Sequence, residues 1–358
     1  MAWSKPKYSK AEVNNAGDVL IAETSTPEQI DRALDVLDNW RAIHGYPMHV
    51  FKIRLKAKAL ATDPNALTVQ RLKRVPAIIK KLQRRYGGRE PSMKLSQMQD
   101  IGGCRAVLSN VQMARKLYEQ HYQRSDLKHN LIRVKDYIQS PKNDGYRSIH
   151  LIYRYVSDKG KAEYNGLLVE IQIRSKLQHL WATAIETVGF FTRQALKSNE
   201  GEQEWMDFFR LVGSAFARME GCPPVPDTPA DEKELYLEIK KREAELNVVK
   251  VMRGWMQAIG VFEKKVKQTP KLQYFLLELD IAGEKLNITP YAKDDEQEAI
   301  IDYAESEKKN RGKKEYDVVL VGADTSTDLK KAYPNYFVDC EEFLVNLKKI
   351  TNKYNNGT

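Results

Sequence analysis

The segment "LLVEIQIR", residues 167–174, alternates apolar and polar side chains, and this period of two predicts a β-strand with two different faces. The apolar side chains share the face that must pack in a core, and they are Val169, Ile171 and Ile173. The polar side chains share the other face, and they are Glu170, Gln172 and Arg174. A carboxylate, an amide and a guanidinium in one row predict a polar floor on one side of a sheet.

A second segment, "LIRVKDYI" at residues 131–138, shows the same alternation. The period predicts that Arg133 and Lys135 face away from the core. The side chains predicted to face the core are Ile132, Val134 and Ile138. A sheet with one apolar face and one face that carries cations and a carboxylate is typical of an anion-binding cleft. The alternative is a solvent-exposed sheet whose ion pairs contribute little to stability.

The segment "PKNDGYRSIH", residues 141–150, lies between these two strands in the sequence. Pro141 presets a turn, and Gly145 permits a close backbone approach. Tyr146 then presents a ring that can stack on a nucleobase. The polar side chains around it are Lys142, Arg147 and His150. Together they favour nucleotide binding, with the ring on the base and the cations on phosphate, although a packed turn tyrosine and a core histidine are the alternative.

Metal chemistry on phosphates requires carboxylates, because Mg²⁺ prefers oxygen ligands and keeps several of its waters. The candidate ligands are Glu170 and Asp100, the latter placed just before two glycines. Their spacing in the sequence does not show that they meet in the fold.

The order of the predicted elements indicates an α+β fold in which helices flank a mixed β-sheet. We expect helices at 26–45, 76–85, 110–123 and 176–196, and strands near 66–72, 104–109, 131–138, 147–155 and 167–174.

A proline-rich break at 221–229, "GCPPVPDTP", predicts the end of a first domain spanning residues 1–220. Residues 221–268 then form a linker with a long helical stretch over roughly 231–267, and residues 269–358 form a small C-terminal α/β domain. In that domain we expect a hairpin, an acidic helix, a strand and one or two final helices, the first three at 274–292, 294–309 and 316–323. From about residue 270 the sequence has one cysteine and no histidine, which argues against a structural zinc site there.

Charge is distributed unevenly along the 358 residues, whose formal net charge is +10. Residues 51–200 alone sum to +17, so the rest of the chain is net negative. This surplus favours a polyanionic partner such as nucleotide phosphates or RNA, and the alternative is a solvated helical face. Three cysteines without a CxxC pair, and the lack of a membrane-length apolar run, favour a soluble cytoplasmic protein without a membrane partner.

Three segments together resemble the synthetase domain of RelA/SpoT homologues, the alarmone synthetases: "QDIGGCRAV", "RVKDYIQSPKNDGYRSIH" and "VEIQIRSKLQHLWA". The resemblance covers roughly residues 50–195. It implies a nucleotidyltransferase-like mixed sheet and an ATP- and Mg²⁺-dependent pyrophosphokinase. In this family the β,γ-pyrophosphate of ATP moves to the 3′-hydroxyl of a guanosine nucleotide.

The resemblance also implies roles for individual residues. Asp100 is expected to ligate Mg²⁺, and Glu170 to ligate it as well and to activate the 3′-hydroxyl. The residues matched to ATP-binding positions are Lys80, Arg105, Arg133 and Lys135. The residues matched to acceptor-binding positions are Lys142, Tyr146, His150, Gln172 and Arg174.

The C-terminal part contains a Tyr-x-x-Tyr element, Tyr333 to Tyr336, and resembles fused toxin–antitoxin members of the family of the CapRel type. That resemblance implies that the two tyrosines block the ATP site until a phage protein, possibly a capsid protein, binds the C-terminal domain. It also implies that the acceptor is the 3′ end of tRNA, so that pyrophosphorylation stops translation in anti-phage defence. The alternatives are a (p)ppGpp synthetase that uses GDP or GTP, and a non-catalytic RNA-binding regulator on the same fold.

Overall fold

The computed structural model describes residues 3–73, 75–85, 90–123, 127–158, 160–195, 200–254, 256, 272–280, 285–295, 298–299, 302, 305–306, 309–310, 316–322 and 336–354. The chain forms two compact units. The first comprises Met1–Ile138 and Arg147–Lys176, and the second comprises Gln139–Tyr146 and Leu177–Thr358. No helix among the described residues combines the length and the apolar character needed to cross a membrane.

The first unit begins with three helices, α1 (Lys10–Val19), α2 (Pro27–Ile43) and α3 (Gly45–Thr62). Thr26 caps α2 through a reciprocal pair of hydrogen bonds with Gln29, and Pro27 occupies the first helical position. Two shorter helices follow, α4 (Val75–Leu82) and α5 (Val111–Tyr118). A π-helical turn at Glu119–Gln123 continues α5 and accounts for the longer helix predicted at 110–123.

Five strands form the sheet of the first unit: β1 (Leu67–Leu72), β2 (Gly102–Leu108), β3 (Asn130–Asp136), β4 (Ile149–Arg154) and β5 (Leu168–Ser175). Their order across the sheet is β1-β2-β5-β4-β3. The β2–β5 pair is parallel and the other pairs are antiparallel. The predicted α+β class, with a mixed sheet flanked by helices, is therefore confirmed.

One face of this sheet is apolar and packs against α3 and α5. The alternation in β5 is confirmed on this face, because Val169, Ile171 and Ile173 are fully buried. The basic helix α3 contributes buried apolar side chains to the same core, and the Cys104 thiol donates to the carbonyl of Met48. The charged side chains of α3 therefore belong to a helix that covers the apolar face.

The prediction for β3 is wrong in part. Ile138 is fully buried, but Ile132 and Val134 are 42% and 39% exposed. The pairing register shifts between Leu131 and Arg133, and β3 is the edge strand of the sheet. Because α3 and α5 pack on β1, β2 and β5, at the other end of the sheet, alternation in β3 does not produce burial.

The second unit contains α6 (Lys176–Ala195), α7 (Glu200–Met219), α8 (Glu232–Leu246) and α9 (Tyr336–Asn352). It also contains a three-stranded sheet of order β7-β6-β8, formed by β6 (Leu272–Asp280), β7 (Lys285–Ala292) and β8 (Tyr316–Gly322). Strands β6 and β7 are antiparallel, and they and β8 lie in the segments for which the sequence predicted a hairpin and a strand. Much of the acidic helix predicted at 294–309 lies outside the described residues, as does Tyr333.

Two features of the second unit differ from the expectations. The long helical stretch predicted over 231–267 is interrupted at Asn247, whose φ of 49° is left-handed. The predicted domain boundary at 220 also does not coincide with the compact units, because α6, α7, α8 and α9 share one core. In that core the Phe343 ring of α9 lies 5.8 Å from the rings of Phe209 and Phe216 in α7.

Candidate active site

The register of the sheet places predicted site residues in one row across its polar face. Lys135 on β3 pairs with His150 on β4, His150 pairs with Gln172 on β5, and Gln172 pairs with Arg105 on β2. Directly paired residues project to the same face of a sheet. The four side chains therefore cross the polar face as one line.

A second row runs beside the first, on the same face. Arg133 pairs with Ile152, Ile152 with Glu170, and Glu170 with Gly103. The two rows together gather Arg105, Arg133, Lys135, His150, Glu170 and Gln172. The polar floor predicted from β5 is confirmed for Glu170 and Gln172.

Glu170 is the centre of a continuous hydrogen-bond chain. Nδ1 of His150 donates to Oε1 of Glu170 at 2.9 Å, and Nε2 of Gln172 donates to Oε2 at 2.7 Å. Nε of Arg105 in turn donates to Oε1 of Gln172 at 3.2 Å. Both carboxylate oxygens are thus held in fixed positions, and the side chain of Glu170 stays 14% exposed.

The surroundings of Glu170 favour its ionised form. Burial alone would raise the pKa of this carboxyl, and the nearby charge of Asp100 acts in the same direction. The hydrogen bond and charge of His150 and the hydrogen bond from Gln172 outweigh these effects and lower the pKa. Asp100 lies two residues before the start of β2, the strand in which Gly103 pairs with Glu170.

Asp100 is held by two ammonium groups. Nζ of Lys73 donates to Oδ2 at 2.9 Å, and Nζ of Lys81 donates to Oδ1 at 2.8 Å. Burial would raise the pKa of Asp100, but the charges of these lysines lower it overall. The backbone contributes to this arrangement, since the N–H of Lys73 donates to the carbonyl of Ile101 next to Asp100.

The sequence interpretation named Lys80 on this helix, whereas the structure places Lys81 at the carboxylate. Lys80 is exposed. Helical periodicity could have pointed to Lys81, because this residue lies three positions after the buried Ile78 and one before the buried Leu82. Lys73 has no comparable signal, since it follows β1 in an irregular segment.

The expectation of an open polar row fails at the end of β5. Arg174 is 1% exposed, and Arg147, predicted to meet phosphate, is 2% exposed. Alternation determines the face to which a side chain projects, but it does not determine whether that face is open at a given position. Neither guanidinium is accessible to a ligand in this conformation.

Lys142 and Tyr146 lie in the second unit, on a compact loop. The N–H of Lys142 donates to the carbonyl of Tyr146, and the N–H of Tyr146 donates to the Asp144 carboxylate at 2.9 Å. Nζ of Lys142 lies 4.8 Å from the centre of the Tyr146 ring. One side of that ring packs towards Trp181, with 6.3 Å between ring centres.

Asp100 and Glu170 suit Mg²⁺ in their chemistry, because both are carboxylates whose surroundings favour the ionised form. No cluster of three or more histidine, cysteine or acidic side chains suited to a metal occurs within the part of the chain that is described. Mg²⁺ does not need one, since one or two carboxylates commonly hold it together with substrate phosphates. Asp100 would be one ligand and Glu170 the other. In this structure, the positive charge at Asp100 comes from Lys73 and Lys81.

Comparison with known proteins gives a consistent result. Residues 70–190 match the sequence model described as "Region found in RelA / SpoT proteins". The chain is 29% identical over 153 residues to the GTP pyrophosphokinase YjbM of Bacillus subtilis, covering 40% of this chain and 70% of that protein. It is 36% identical over 122 residues to the GTP pyrophosphokinase YwaC of the same organism, covering 34% of this chain and 56% of that protein.

Among solved structures, the small alarmone synthetase 1 of Bacillus subtilis, bound to its product pppGpp, is 25% identical to this chain. The likeness has a TM-score of 0.41 and covers 49% of this chain and 88% of that chain. The match to the sequence model marks residues 70–190 as a RelA/SpoT-type region. With the two pyrophosphokinase relatives, it confirms the predicted enzyme class, a RelA/SpoT-type pyrophosphokinase.

Proposed function

We propose that this enzyme transfers the β,γ-pyrophosphate of ATP to a ribose 3′-hydroxyl, and that the hydroxyl belongs to the 3′ end of tRNA. The observation that carries the transfer is the polar face of the first unit. Two carboxylates that favour their ionised form, Asp100 and Glu170, lie in this unit together with the cationic side chains of Lys73, Lys81, Arg105, Arg133 and Lys135. Phosphoryl chemistry depends mainly on positioning and charge neutralisation, which such a face supplies.

Glu170 is the base for the attacking hydroxyl. The 3′-oxygen bonds to the β-phosphorus of ATP. The bond from that phosphorus to the oxygen that bridges it to the α-phosphorus breaks, and AMP leaves with this oxygen. The hydroxyl proton passes to Glu170. His150 and Gln172 hold the two carboxylate oxygens, so that the base meets the hydroxyl in one orientation.

Bound Mg²⁺ would neutralise phosphate charge at Asp100 and Glu170. The cationic side chains neutralise the remaining phosphate oxygens. Those placed for ATP are Lys73, Lys81, Arg105, Arg133 and Lys135. Tyr146 and Lys142 are assigned to the acceptor, with the ring stacked on a base and the ammonium near its phosphate.

Two features support tRNA as the acceptor. The first is the charge surplus of residues 51–200, which suits a long polyanion. The second is the position of α3, which carries Lys56 and Lys58 and packs on the apolar face. A nucleotide held on the polar face cannot reach these lysines, whereas the body of a tRNA extends far enough to contact them.

A guanosine nucleotide is the second candidate acceptor. The observation that favours it is the similarity to two GTP pyrophosphokinases. In that case the product is a (p)ppGpp-type alarmone, and the lysines of α3 take no part in binding.

The deciding experiment supplies ATP labelled in its γ-phosphate together with bulk tRNA, GDP or GTP, and identifies the labelled acceptor. Glu170→Gln is the inactive control. A variant with Lys56→Glu and Lys58→Glu should label tRNA weakly even at low salt, with a shallower dependence on salt than the parent protein, and it should keep any GDP labelling. Because the resting protein is proposed to be blocked, the assay uses the wild-type protein and the Tyr333→Ala, Tyr336→Ala protein, and catalytic variants are compared in the latter background. If neither protein labels an acceptor, transfer itself is refuted. If only GDP or GTP is labelled, the tRNA assignment is refuted.

The regulatory part of the proposal concerns residues 269–358. We propose that Tyr333 and Tyr336 keep the resting enzyme inactive by competing for the ATP site, and that a phage protein binding this part relieves the block. Two features of the sequence support this block: residues 269–358 follow the RelA/SpoT-type region in the same chain, and they contain the Tyr-x-x-Tyr element. This activity belongs to a cytoplasmic defence protein.

A further inference from the structure

The loop that carries Tyr146 rests directly on the backbone of α7. Gly145 has a φ of +95°, and a Cβ at this position would lie 3.0 Å from Cζ2 of Trp181 and 3.2 Å from the carbonyl oxygen of Phe209. These distances exclude any larger residue without movement of the loop. The loop approaches the helix closely because Gly145 has no side chain.

The helix has a matching glycine at the point of contact. A Cβ on Gly213 would lie 3.0 Å from both the Cα and the carbonyl oxygen of Gly145. Both are backbone atoms, so rotating a side chain cannot relieve the overlap. Gly213 lies within α7, where glycine is less favourable than alanine for the helix itself. A glycine here is thus explained by the loop and not by the helix.

Trp181 connects the two elements. Its Nε1 donates to the carbonyl of Phe209 at 2.8 Å, and its ring edge faces Gly145 and the Tyr146 ring. The loop is also internally closed, since the N–H of Gly145 donates to the carbonyl of Lys142 at 2.9 Å. A displacement at Gly145 is therefore passed to Tyr146 and Lys142 as a movement of the whole loop.

We propose that Gly213 is a positioning residue for the acceptor: its contact with Gly145 sets the height of the loop on α7 and thereby the place of the Tyr146 ring. This inference rests on the proposed function, in which Tyr146 stacks on the acceptor base. ATP is assigned to the first unit, so binding of ATP does not depend on this contact. Acceptor affinity and ATP affinity should then respond differently to one added methyl group.

The test is steady-state transfer from γ-labelled ATP to whichever of bulk tRNA, GDP or GTP is labelled. Every protein in the test, the wild-type reference included, also carries Tyr333→Ala and Tyr336→Ala, so that the proposed block does not hide activity. Gly213→Ala should raise the KM for the acceptor by about tenfold or more, because small displacements of positioning groups have large effects. The KM for ATP should stay within about twofold of wild type, as expected where only acceptor binding has changed. A general loss of folded protein would instead lower kcat and leave both KM values unchanged.

Gly221→Ala is the matched control. Gly221 follows α7, has a left-handed φ of +64° and has no neighbour within 4 Å of a Cβ. The control therefore adds backbone strain at the end of the same helix without contact with the loop. It should lower the melting temperature while leaving the KM for the acceptor unchanged.

Trp181→Phe provides a second variant in case Gly213→Ala fails to fold. It keeps a ring in the core but removes the hydrogen bond to Phe209 and the atom next to Gly145, so it too should raise the acceptor KM selectively. If every variant that folds keeps the acceptor KM of the reference protein while the reference protein transfers label, the positioning role is overturned. If the reference protein that carries Tyr333→Ala and Tyr336→Ala labels no acceptor, the proposed function fails, and the inference that rests on it is overturned with it.

Discussion

Nδ1 of His150 on β4 donates a hydrogen bond to Oε1 of Glu170 on β5 at 2.9 Å, and Gln172 holds the second carboxylate oxygen. The pair lies diagonally on the polar face, since His150 is opposite Gln172, two residues along β5 from Glu170. A base fixed at both oxygens stays in one rotamer and remains ionised, since these interactions lower its pKa. His150 and Gln172 are therefore positioning residues for Glu170.

Glu170→Gln should leave the fold intact and lower the transfer rate by at least about 10²-fold, because an amide cannot accept the hydroxyl proton. Glutamine keeps the size of the side chain and one acceptor oxygen for His150. The measurement is single-turnover transfer from labelled ATP, with circular dichroism to verify folding. Wild-type turnover in a folded Glu170→Gln protein would refute the assignment of the base.

Lys81 and Lys80 form a natural matched pair on α4. Lys81 donates to Asp100 at 2.8 Å, whereas Lys80 is exposed. Lys81→Met should lower kcat/KM for ATP by about 10- to 100-fold, because a hydrogen bond between charged groups contributes about 1.5–3 kcal/mol. Lys80→Met should change it by less than about threefold. Equal losses in the two variants would instead indicate that α4 contributes only general positive charge.

Part of this site could be predicted from the sequence and part could not. The alternation of apolar and polar residues was sufficient to place Glu170 and Gln172 on the polar face, because one strand contains the whole pattern. The hydrogen bonds to His150 and Arg105 depend on strand order, and the sequence carries no local signal for that order. The exposure of Val134 has the same origin, since only the sheet topology makes β3 an edge strand. Likewise, the contact of Gly145 with Gly213 joins segments that no local pattern relates.

His44 should make the stability of the protein depend on pH. This histidine is fully buried, its Nδ1 donates to the carbonyl of Trp40 at 2.7 Å, and burial lowers its pKa to about 4 from the usual 6.5. In the unfolded chain His44 therefore binds a proton near pH 6.5, whereas in the folded protein it binds one only near pH 4. Stability falls as the pH drops through that range, and it is unaffected by this group above pH 6.5.

At pH 5 the loss attributable to His44 should be about 2 kcal/mol relative to pH 7.5, from about 1.4 kcal/mol per pKa unit. Urea denaturation at the two pH values measures it. In His44→Gln the dependence on pH should be weaker by this amount, although the variant is less stable overall. An unchanged pH dependence in His44→Gln would show that other groups cause the acid sensitivity.

Phe343 tests whether α9 belongs to the same core as α7. Its side chain is fully buried against Phe209 and Phe216. Phe343→Ala should lower the free energy of unfolding by about 3–5 kcal/mol, through lost burial and a cavity. Val345→Ala is the control on the same helix, since Val345 is 47% exposed, and it should cost less than about 0.5 kcal/mol. A Phe343→Ala protein as stable as the control would place α9 outside this core.

The final prediction concerns the proposed block by Tyr333 and Tyr336. A segment can inhibit only if it binds the closed state more favourably than the open state, so its removal must shift the equilibrium. Tyr336 is the first residue of α9, a helix anchored by the buried side chains of Cys340, Phe343 and Leu347. Because the helix that begins at Tyr336 is already ordered, docking through Tyr336 would cost less conformational entropy than docking of an unfolded segment.

Two aromatic rings can replace a nucleobase that stacks beside guanidinium groups such as that of Arg105. Tyr333→Ala combined with Tyr336→Ala should therefore make the full-length protein active without a partner, and it should inhibit growth on expression. Replacing both tyrosines by phenylalanine keeps the rings and should leave the protein as quiet as wild type. The measurement is basal labelling of tRNA, GDP and GTP, beside the alanine variant that also carries Glu170→Gln. If the alanine variant folds normally and stays quiet while the wild-type protein can be activated, the tyrosines do not form the block.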